Sequence, residues 1–282
     1  MTATISPCAP LPARPADESG VALDVATLGR LVGIWAHPDD ETYLSGGLMA
    51  AAAANGQPTW CITATAGEHG TDDPNRWPPR RLSRRRRREL RHALDVLGVR
   101  QHHWLGYADG GLVDVDQESA VDRLLGLIER LEPDTIVTFG PDGFTGHIDH
   151  RVVGHWATLA GTLHGSVRVL HAAKTIGWIE AFAPLHDRFP IFYPGYPQGV
   201  HADRLAVDLC LDDDALDRKV RALRAHATQT APIVAALGWT PWREWVRRES
   251  FVDGSPTEAA SSLDARSQVQ RDALSMATTI VG

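Results

Sequence analysis

Short apolar segments alternate with amphipathic segments over the first two thirds of the chain. The apolar segments predict buried strands at residues 31–36, 59–65, 102–105, 134–139 and 167–172. The segments between them predict helices at residues 43–55, 82–97, 118–131 and 149–163. Strands that alternate with helices form βαβ units, whose right-handed connections place helices on both faces of the sheet. The pattern therefore predicts an α/β fold with a mainly parallel sheet.

This alternation is lost after about residue 174, where several prolines interrupt any long element. Residues 205–211 predict one more strand and residues 214–228 one more helix. We expect a flexible leader at residues 1–20, one α/β domain at residues 21–235, and a C-terminal arm or smaller lobe at residues 236–282 that packs on the domain. In that arm, Trp239, Trp242 and Trp245 are interpreted as packing residues rather than as a sugar site.

Composition limits the classes of partner. The net charge of −7, from 28 basic and 35 acidic residues, argues against a nucleic-acid-binding protein. The run Arg84–Arg88 lies on a predicted helix, and we interpret it as a solvated face with one functional arginine. No apolar run approaches the roughly 18 residues that a membrane span needs. The three cysteines are far apart and form no CxxC pair, which favours a reducing cytoplasm. The sequence does not determine the oligomeric state, and a homo-oligomer is compatible with it.

Two polar segments follow predicted strands. Residues 36–41, Ala-His-Pro-Asp-Asp-Glu, come directly after the first strand, and residues 146–150, Gly-His-Ile-Asp-His, come after the fourth. Ligands of open parallel sheets bind beyond the carboxyl ends of the strands. We therefore expect the two segments to meet in space, although 113 residues separate their histidines His37 and His150.

The residue types at this place suit a catalytic zinc ion, which takes three protein ligands and keeps a position for water. His37, Asp40 and His150 would be the ligands, and Asp39 would be free to accept a proton from water. His147 would stabilise an oxyanion and protonate the leaving amine, with its basicity raised by Asp149. The residues alone also allow an alternative to a metal site. In that alternative, residues 36–41 are an ordinary helix start and residues 146–150 an ordinary surface loop.

These segments resemble the signatures of the PIG-L or LmbE-like de-N-acetylases, AHPDDE and HxDH. Weaker matches to the family pattern lie at residues 65–70, 86–90, 109–112 and 219–229, where Thr228 replaces the usual serine. The resemblance covers residues 31–229. It implies a Rossmann-like three-layer α/β sandwich and one Zn²⁺ per chain.

The resemblance also implies roles for individual residues. It gives His37, Asp40 and His150 as zinc ligands, Asp39 as base, His147 and Asp149 as the acid and its partner, and Arg86 and Asp109 as substrate contacts. The expected activity is removal of an N-acyl group, above all N-acetyl, from a small amino-sugar-like substrate. A zinc amidase that cleaves a larger thiol-conjugate or natural-product amide and a non-catalytic zinc-binding protein are the alternatives.

Overall fold

The computed structural model describes residues 24–254, which form one seven-stranded sheet with helices on both faces. The strands are β1 Leu31–Trp35, β2 Thr59–Thr65, β3 Gln101–Tyr107, β4 Thr135–Phe139, β5 Arg168–Ala172, β6 Leu205–Cys210 and β7 Arg248–Asp253. Their order in the sheet is β3-β2-β1-β4-β5-β7-β6. The first five strands are parallel, and β7 runs antiparallel to both of its neighbours. The predicted α/β fold with a mainly parallel sheet is confirmed.

The helices are α1 Asp40–Ala54, α2 Pro79–Leu97, α3 Gln117–Leu131, α4 Ile148–His164, α5 Ile176–His186, α6 Asp213–Ala225, α7 Ala227–Leu237 and α8 Trp239–Trp245. Helices α1, α2 and α6 pack together, and α3 packs on α4. The predicted helix over residues 214–228 ends earlier, because His226 leaves helical geometry with φ −78° and ψ 48° and separates α6 from α7.

Strand β1 lies between β2 and β4, so the chain leaves β1 toward one edge of the sheet and later returns to its other side. Such a reversal of strand order opens a crevice at the carboxyl ends of the two central strands. The segments after β1 and β4 are the two that carry the predicted metal-binding residues. The topology therefore places both segments at the crevice where ligands of this fold class bind.

The predicted C-terminal arm contains two elements with different environments, helix α8 and strand β7. Helix α8 packs into a second apolar cluster through Trp242 and Trp245, while Trp239 is 45% exposed. Strand β7 lies inside the sheet between β5 and β6. Residues 248–253 are therefore part of the central sheet, because their backbone groups bond to strands on both sides. The predicted leader at residues 1–20 and the end of the arm lie outside the described residues.

Most of the core lies between the sheet and its helices, where β1, β2 and β4 are buried along their whole length. Continuous burial is typical of parallel strands covered on both faces. Within residues 24–254, none of the helices has the length and apolar character needed to cross a membrane.

Candidate metal and catalytic site

The turn after β1 brings three polar side chains to the crevice. Asp39 precedes α1 in a left-handed conformation, with φ 113° and ψ −29°, and helix α1 begins at Asp40. The backbone N–H of His37 donates to Asp40 Oδ2 at 2.7 Å. This closes a tight loop in which the side chains of His37 and Asp40 lie side by side at the helix start.

The loop after β4 supplies two histidines at the start of α4. His150 stacks on the Phe139 ring with centroids 4.2 Å apart. Its Nδ1 lies 3.0 Å from the carbonyl oxygen of Gly143, which only accepts hydrogen bonds. We therefore assign the ring proton to Nδ1, which leaves a lone pair on Nε2. His147 caps α4, and its Nδ1 accepts a hydrogen bond from the N–H of Asp149 at 3.1 Å.

The ring of His37 is oriented by two carboxylates. Its Nε2 lies 3.0 Å from Asp109 Oδ1 and 3.3 Å from Asp149 Oδ2. Both oxygens only accept, so in the neutral ring the proton is on Nε2, and the lone pair of Nδ1 faces the opposite way. A carboxylate bound to the second nitrogen is how proteins fix a metal-ligating imidazole.

Two imidazole nitrogens and the two oxygens of one carboxylate converge between the two loops. His37 Nδ1 lies 3.1 Å from His150 Nε2, Asp40 Oδ1 lies 3.4 Å from His150 Nε2, and Asp40 Oδ2 lies 3.6 Å from His37 Nδ1. For bonds of about 2.0–2.1 Å, the ligands of a tetrahedral zinc ion are about 3.3–3.4 Å apart. The three side chains His37, Asp40 and His150, called the triangle below, therefore have a spacing that suits a tetrahedral metal ion.

The pKa values of His37 and Asp40 show how the metal-free site is protonated. Burial opposes a charge on His37, but the hydrogen bonds of Asp109 and Asp149 and the charge of Asp40 outweigh it and raise the pKa of His37 to about 10. Burial raises the pKa of Asp40 to about 7. In the metal-free protein, a proton on His37 Nδ1 can be donated to His150 Nε2 at 3.1 Å, and a bound metal ion would displace this proton.

Two other groupings of ligand atoms occur in the described residues. One joins His37 with His147 and His150, and the other joins His37 with Asp109 and Asp149. In the second grouping the carboxylates already accept backbone N–H groups, of His69 at 2.8 Å for Asp109 and of Gly110 at 2.7 Å for Asp149. These two carboxylates are thus suited to orient His37, and they lie on the side of its ring away from the triangle.

Asp39 lies beside the triangle without being part of it. Its side chain is 16% exposed and lies 3.5 Å from Arg86 Nη2, measured to Oδ2. Burial raises the pKa of the Asp39 carboxyl, and the charge of Arg86 opposes this effect. A carboxylate with a raised pKa next to a metal site is suited to accept a proton from water.

The predicted substrate contacts have protein partners in the structure. Arg86 is 4% exposed and donates to the carbonyl oxygens of Pro38 at 2.6 Å and Gly67 at 2.9 Å. Asp109 is engaged by His37 and by the backbone of His69. Within the run Arg84–Arg88, Arg86 is the buried member. Both side chains line the crevice, and their hydrogen bonds fix its walls.

The predicted contact between Asp149 and the His147 ring differs from what the structure shows. The Asp149 carboxylate faces His37, and only its backbone N–H reaches His147. Burial and the charge of His37 lower the pKa of His147, and they outweigh the charge of Asp149, which raises it as expected. The position of the carboxylate follows from its bonds to the N–H groups of Gly110 and Leu112, which belong to a distant loop.

The crevice is a cavity of about 340 Å³, and one of its walls was not predicted from the sequence. Tyr193, from the proline-rich segment before β6, is 55% exposed at the rim. Its backbone N–H donates to Thr145 at 2.9 Å, and its ring lies 6.3 Å from that of His147. The only signal in the sequence was an aromatic residue among prolines, which does not identify a site.

Comparison with known proteins agrees with this geometry. The family described as PIG-L: GlcNAc-PI de-N-acetylase matches residues 32–160. A 1D-myo-inositol 2-acetamido-2-deoxy-alpha-D-glucopyranoside deacetylase from Corynebacterium diphtheriae is 32% identical over 225 residues, covering 71% of this chain and 76% of the relative. The enzyme of the same name from Corynebacterium glutamicum is 34% identical, covering 71% of this chain and 74% of the relative.

Among solved structures, N,N'-diacetylchitobiose deacetylase from Pyrococcus horikoshii has a TM-score of 0.56 and 21% identity, covering 82% of this chain and 88% of that chain. This likeness is one of fold. The matches of sequence and fold, together with the His-His-Asp site after β1 and β4, confirm the resemblance seen in the sequence. The chain belongs to the PIG-L/LmbE-like family of de-N-acetylases.

Proposed function

We propose that this protein is a zinc-dependent hydrolase that removes the N-acetyl group from a small amino-sugar glycoside. The observation that carries the proposal is the convergence of the side chains of His37, Asp40 and His150, with interatomic distances of 3.1–3.6 Å, beside a carboxylate with a raised pKa. The names of the relatives, which are deacetylases of an acetylated glucosaminyl inositol, support the choice of bond and substrate class.

His37, Asp40 and His150 would hold one zinc ion. A zinc ion bound there would acidify a water molecule and polarise the acyl carbonyl of the substrate. Asp109 and Asp149 would keep the His37 ring in the orientation that directs Nδ1 toward the ion. Arg86 would hold the loop that carries Pro38 and Asp39 through its hydrogen bond to Pro38.

Asp39 would accept the proton of the attacking water, since its carboxylate lies beside the triangle and makes no capping bond to α1. His147 would face the opposite end of the reacting amide. Because Nδ1 of His147 accepts a hydrogen bond, its proton is on Nε2, and this N–H would stabilise the developing oxyanion. Asp39 would then transfer the proton that it took from water to the leaving nitrogen as the C–N bond breaks, with acetate and a free amine as products.

A small glycoside suits the cavity, whose volume of about 340 Å³ is at the lower end of the range for ligand sites. Tyr193 would cover one face of the sugar ring with its phenol ring. His69 and Gln229 also line the cavity and carry polar groups suited to sugar hydroxyls.

The test is acetate release by the zinc-loaded protein from two N-acetylated sugars, the acetylglucosaminyl inositol of the relatives and N,N'-diacetylchitobiose. We expect stoichiometric acetate and amine from at least one of them, and a rate lower by about 10²–10⁴-fold with Asp39→Asn. The same sugars with a bulkier N-acyl group separate a deacetylase from an amidase for larger acids. A zinc-bound protein that releases no acid from any of these compounds would refute the proposal.

A further inference from the structure

The backbone of Asp39 is held in an unfavourable conformation. Its φ of 113° lies in the left-handed region that side chains other than glycine rarely adopt. Such conformations persist only where surrounding contacts impose them, and they concentrate at functional sites. The contacts that impose this one therefore determine where the Asp39 carboxylate lies.

Glu41 supplies one of these contacts. Its Oε2 accepts a hydrogen bond from the backbone N–H of Asp39 at 2.9 Å. Its other oxygen, Oε1, is bonded by the hydroxyl of Thr42 and by His226 Nε2, the latter at 2.9 Å. The Glu41 side chain has no exposed surface, so both of its oxygens depend on these protein partners.

His226 comes from the break between α6 and α7, 185 residues away from Glu41 in sequence. Its side chain is fully buried, and the only polar groups of the described residues that bond to its ring are Glu41 and Thr42, both at Nε2. The second nitrogen, Nδ1, is buried without a hydrogen-bond partner among the described residues. The polar contacts of this histidine are therefore directed at the Glu41–Thr42 pair alone.

We propose that Glu41 and His226 are positioning residues that hold the backbone of Asp39 so that its carboxylate faces the metal site. This inference rests on the proposed function, in which Asp39 is the base. Arg86 holds the preceding peptide through its bond to the Pro38 carbonyl oxygen, so the turn is fixed from both sides. His226 fixes the orientation of Glu41, and Glu41 in turn fixes Asp39.

The protein contains a matched pair that separates positioning from general stability. Lys219 and Glu249 form a second fully buried ion pair with an N–O distance of 2.7 Å. Glu249 also accepts hydrogen bonds from two backbone N–H groups of α1, from Gly47 at 2.7 Å and from Leu48 at 2.8 Å. This pair ties α6 and β7 to the middle of α1, and it does not contact Asp39.

The experiment compares His226→Leu, His226→Gln and Lys219→Met in the full-length, zinc-loaded protein. His226→Leu and Lys219→Met each remove the buried partner of a glutamate, so we expect both to lower the midpoint of thermal unfolding. Only His226→Leu should lower kcat, by about 10²-fold, which is the scale for a displacement of about 1 Å at a catalytic group. KM and zinc content should stay near those of the unchanged protein.

His226→Gln tests the hydrogen bond itself. Its amide N–H groups can donate to Glu41, so kcat should recover most of the loss seen with leucine. A kcat of His226→Leu no lower than that of Lys219→Met, at a temperature where both are folded, would overturn the proposal. Equal kcat values for the leucine and glutamine variants would also overturn it.

Two further measurements keep the inference testable. If His226→Leu does not fold, Glu41→Leu and Glu41→Gln replace the histidine pair, because the amide oxygen of glutamine can still accept from Asp39. If the unchanged protein releases no acetate, the proposed function fails, and a crystal structure of the folded variant then decides the positioning. A φ of Asp39 that stays near 113° in that variant would refute it.

Discussion

Replacing Asp39 with asparagine tests the base in isolation, because the change is small in every other respect. Asparagine has nearly the same volume as aspartate, and it is one of the few residues that tolerate the left-handed region. The backbone N–H of residue 39 donates to the Glu41 carboxylate, and the substitution retains this hydrogen bond. The fold of the turn should therefore survive.

The size of the effect follows from the position of the carboxylate. Asp39 is outside the triangle of His37, Asp40 and His150, so Asp39→Asn should keep full zinc content. An amide cannot accept the proton of water, and the loss of a general base costs about 10²–10⁴-fold in rate. This corresponds to about 3–5 kcal/mol of transition-state free energy.

The stability of the folded protein should change less than the transition-state free energy. The carboxylate is mostly buried and lies 3.5 Å from Arg86, so the favourable ion pair and the cost of desolvation oppose each other. Because Arg86 keeps its two carbonyl acceptors and the amide oxygen of asparagine can also accept from it, we expect a loss below the roughly 3–5 kcal/mol of a broken buried pair. Asp39→Ala should be less stable than Asp39→Asn by about 1–2 kcal/mol, because alanine is strained in the left-handed region.

The assay measures kcat, KM, zinc content and the urea unfolding midpoint for each variant. Asp122→Asn, on the exposed surface of α3, is the control for loss of a carboxylate far from the site. We expect its kcat to equal that of the unchanged protein. A near-native kcat for Asp39→Asn with bound zinc would show that another group accepts the proton, and the reasoning from burial and position would be wrong.

Three further predictions concern the metal, the rim and a buried lysine. His150→Ala should empty the zinc site on elemental analysis, whereas the exposed His92→Ala should not; full zinc in the former would disprove the ligand set. Tyr193→Ala should raise KM about tenfold, whereas Tyr193→Phe and Trp239→Ala should leave KM unchanged. An unchanged KM for Tyr193→Ala would show that Tyr193 does not stack on the sugar. Burial lowers the pKa of Lys174 from 10.5 to about 7, so the unfolded chain binds more protons between these values. Stability should therefore rise with pH across this window, and Lys174→Met should abolish the rise in urea unfolding.

The sequence was sufficient for the strands and helices of the first two thirds of the chain. Their hydrophobic period is a local property, and the alternation of strands and helices leaves few possible topologies. The sequence was also sufficient to predict that His37 and His150 lie close together, because both follow parallel strands whose carboxyl ends share one edge of the sheet. The hydrogen bonds that hold Asp39 could be predicted only in part. Residues 219–229, which include His226, matched a family pattern, but the sequence did not show that His226 contacts Glu41.

Only the tertiary structure decided which partner each polar side chain has. The Asp149 carboxylate turns to His37 rather than to its sequence neighbour His147, because backbone N–H groups of a distant loop hold it there. Strand β7 depends on hydrogen bonds to strands far away in sequence, so its short segment has no local signal strong enough to predict it. Likewise, Tyr193 reaches the cavity through a bond to Thr145 that no periodicity encodes. Local patterns determine the elements, and long-range packing determines the partners that produce the chemistry.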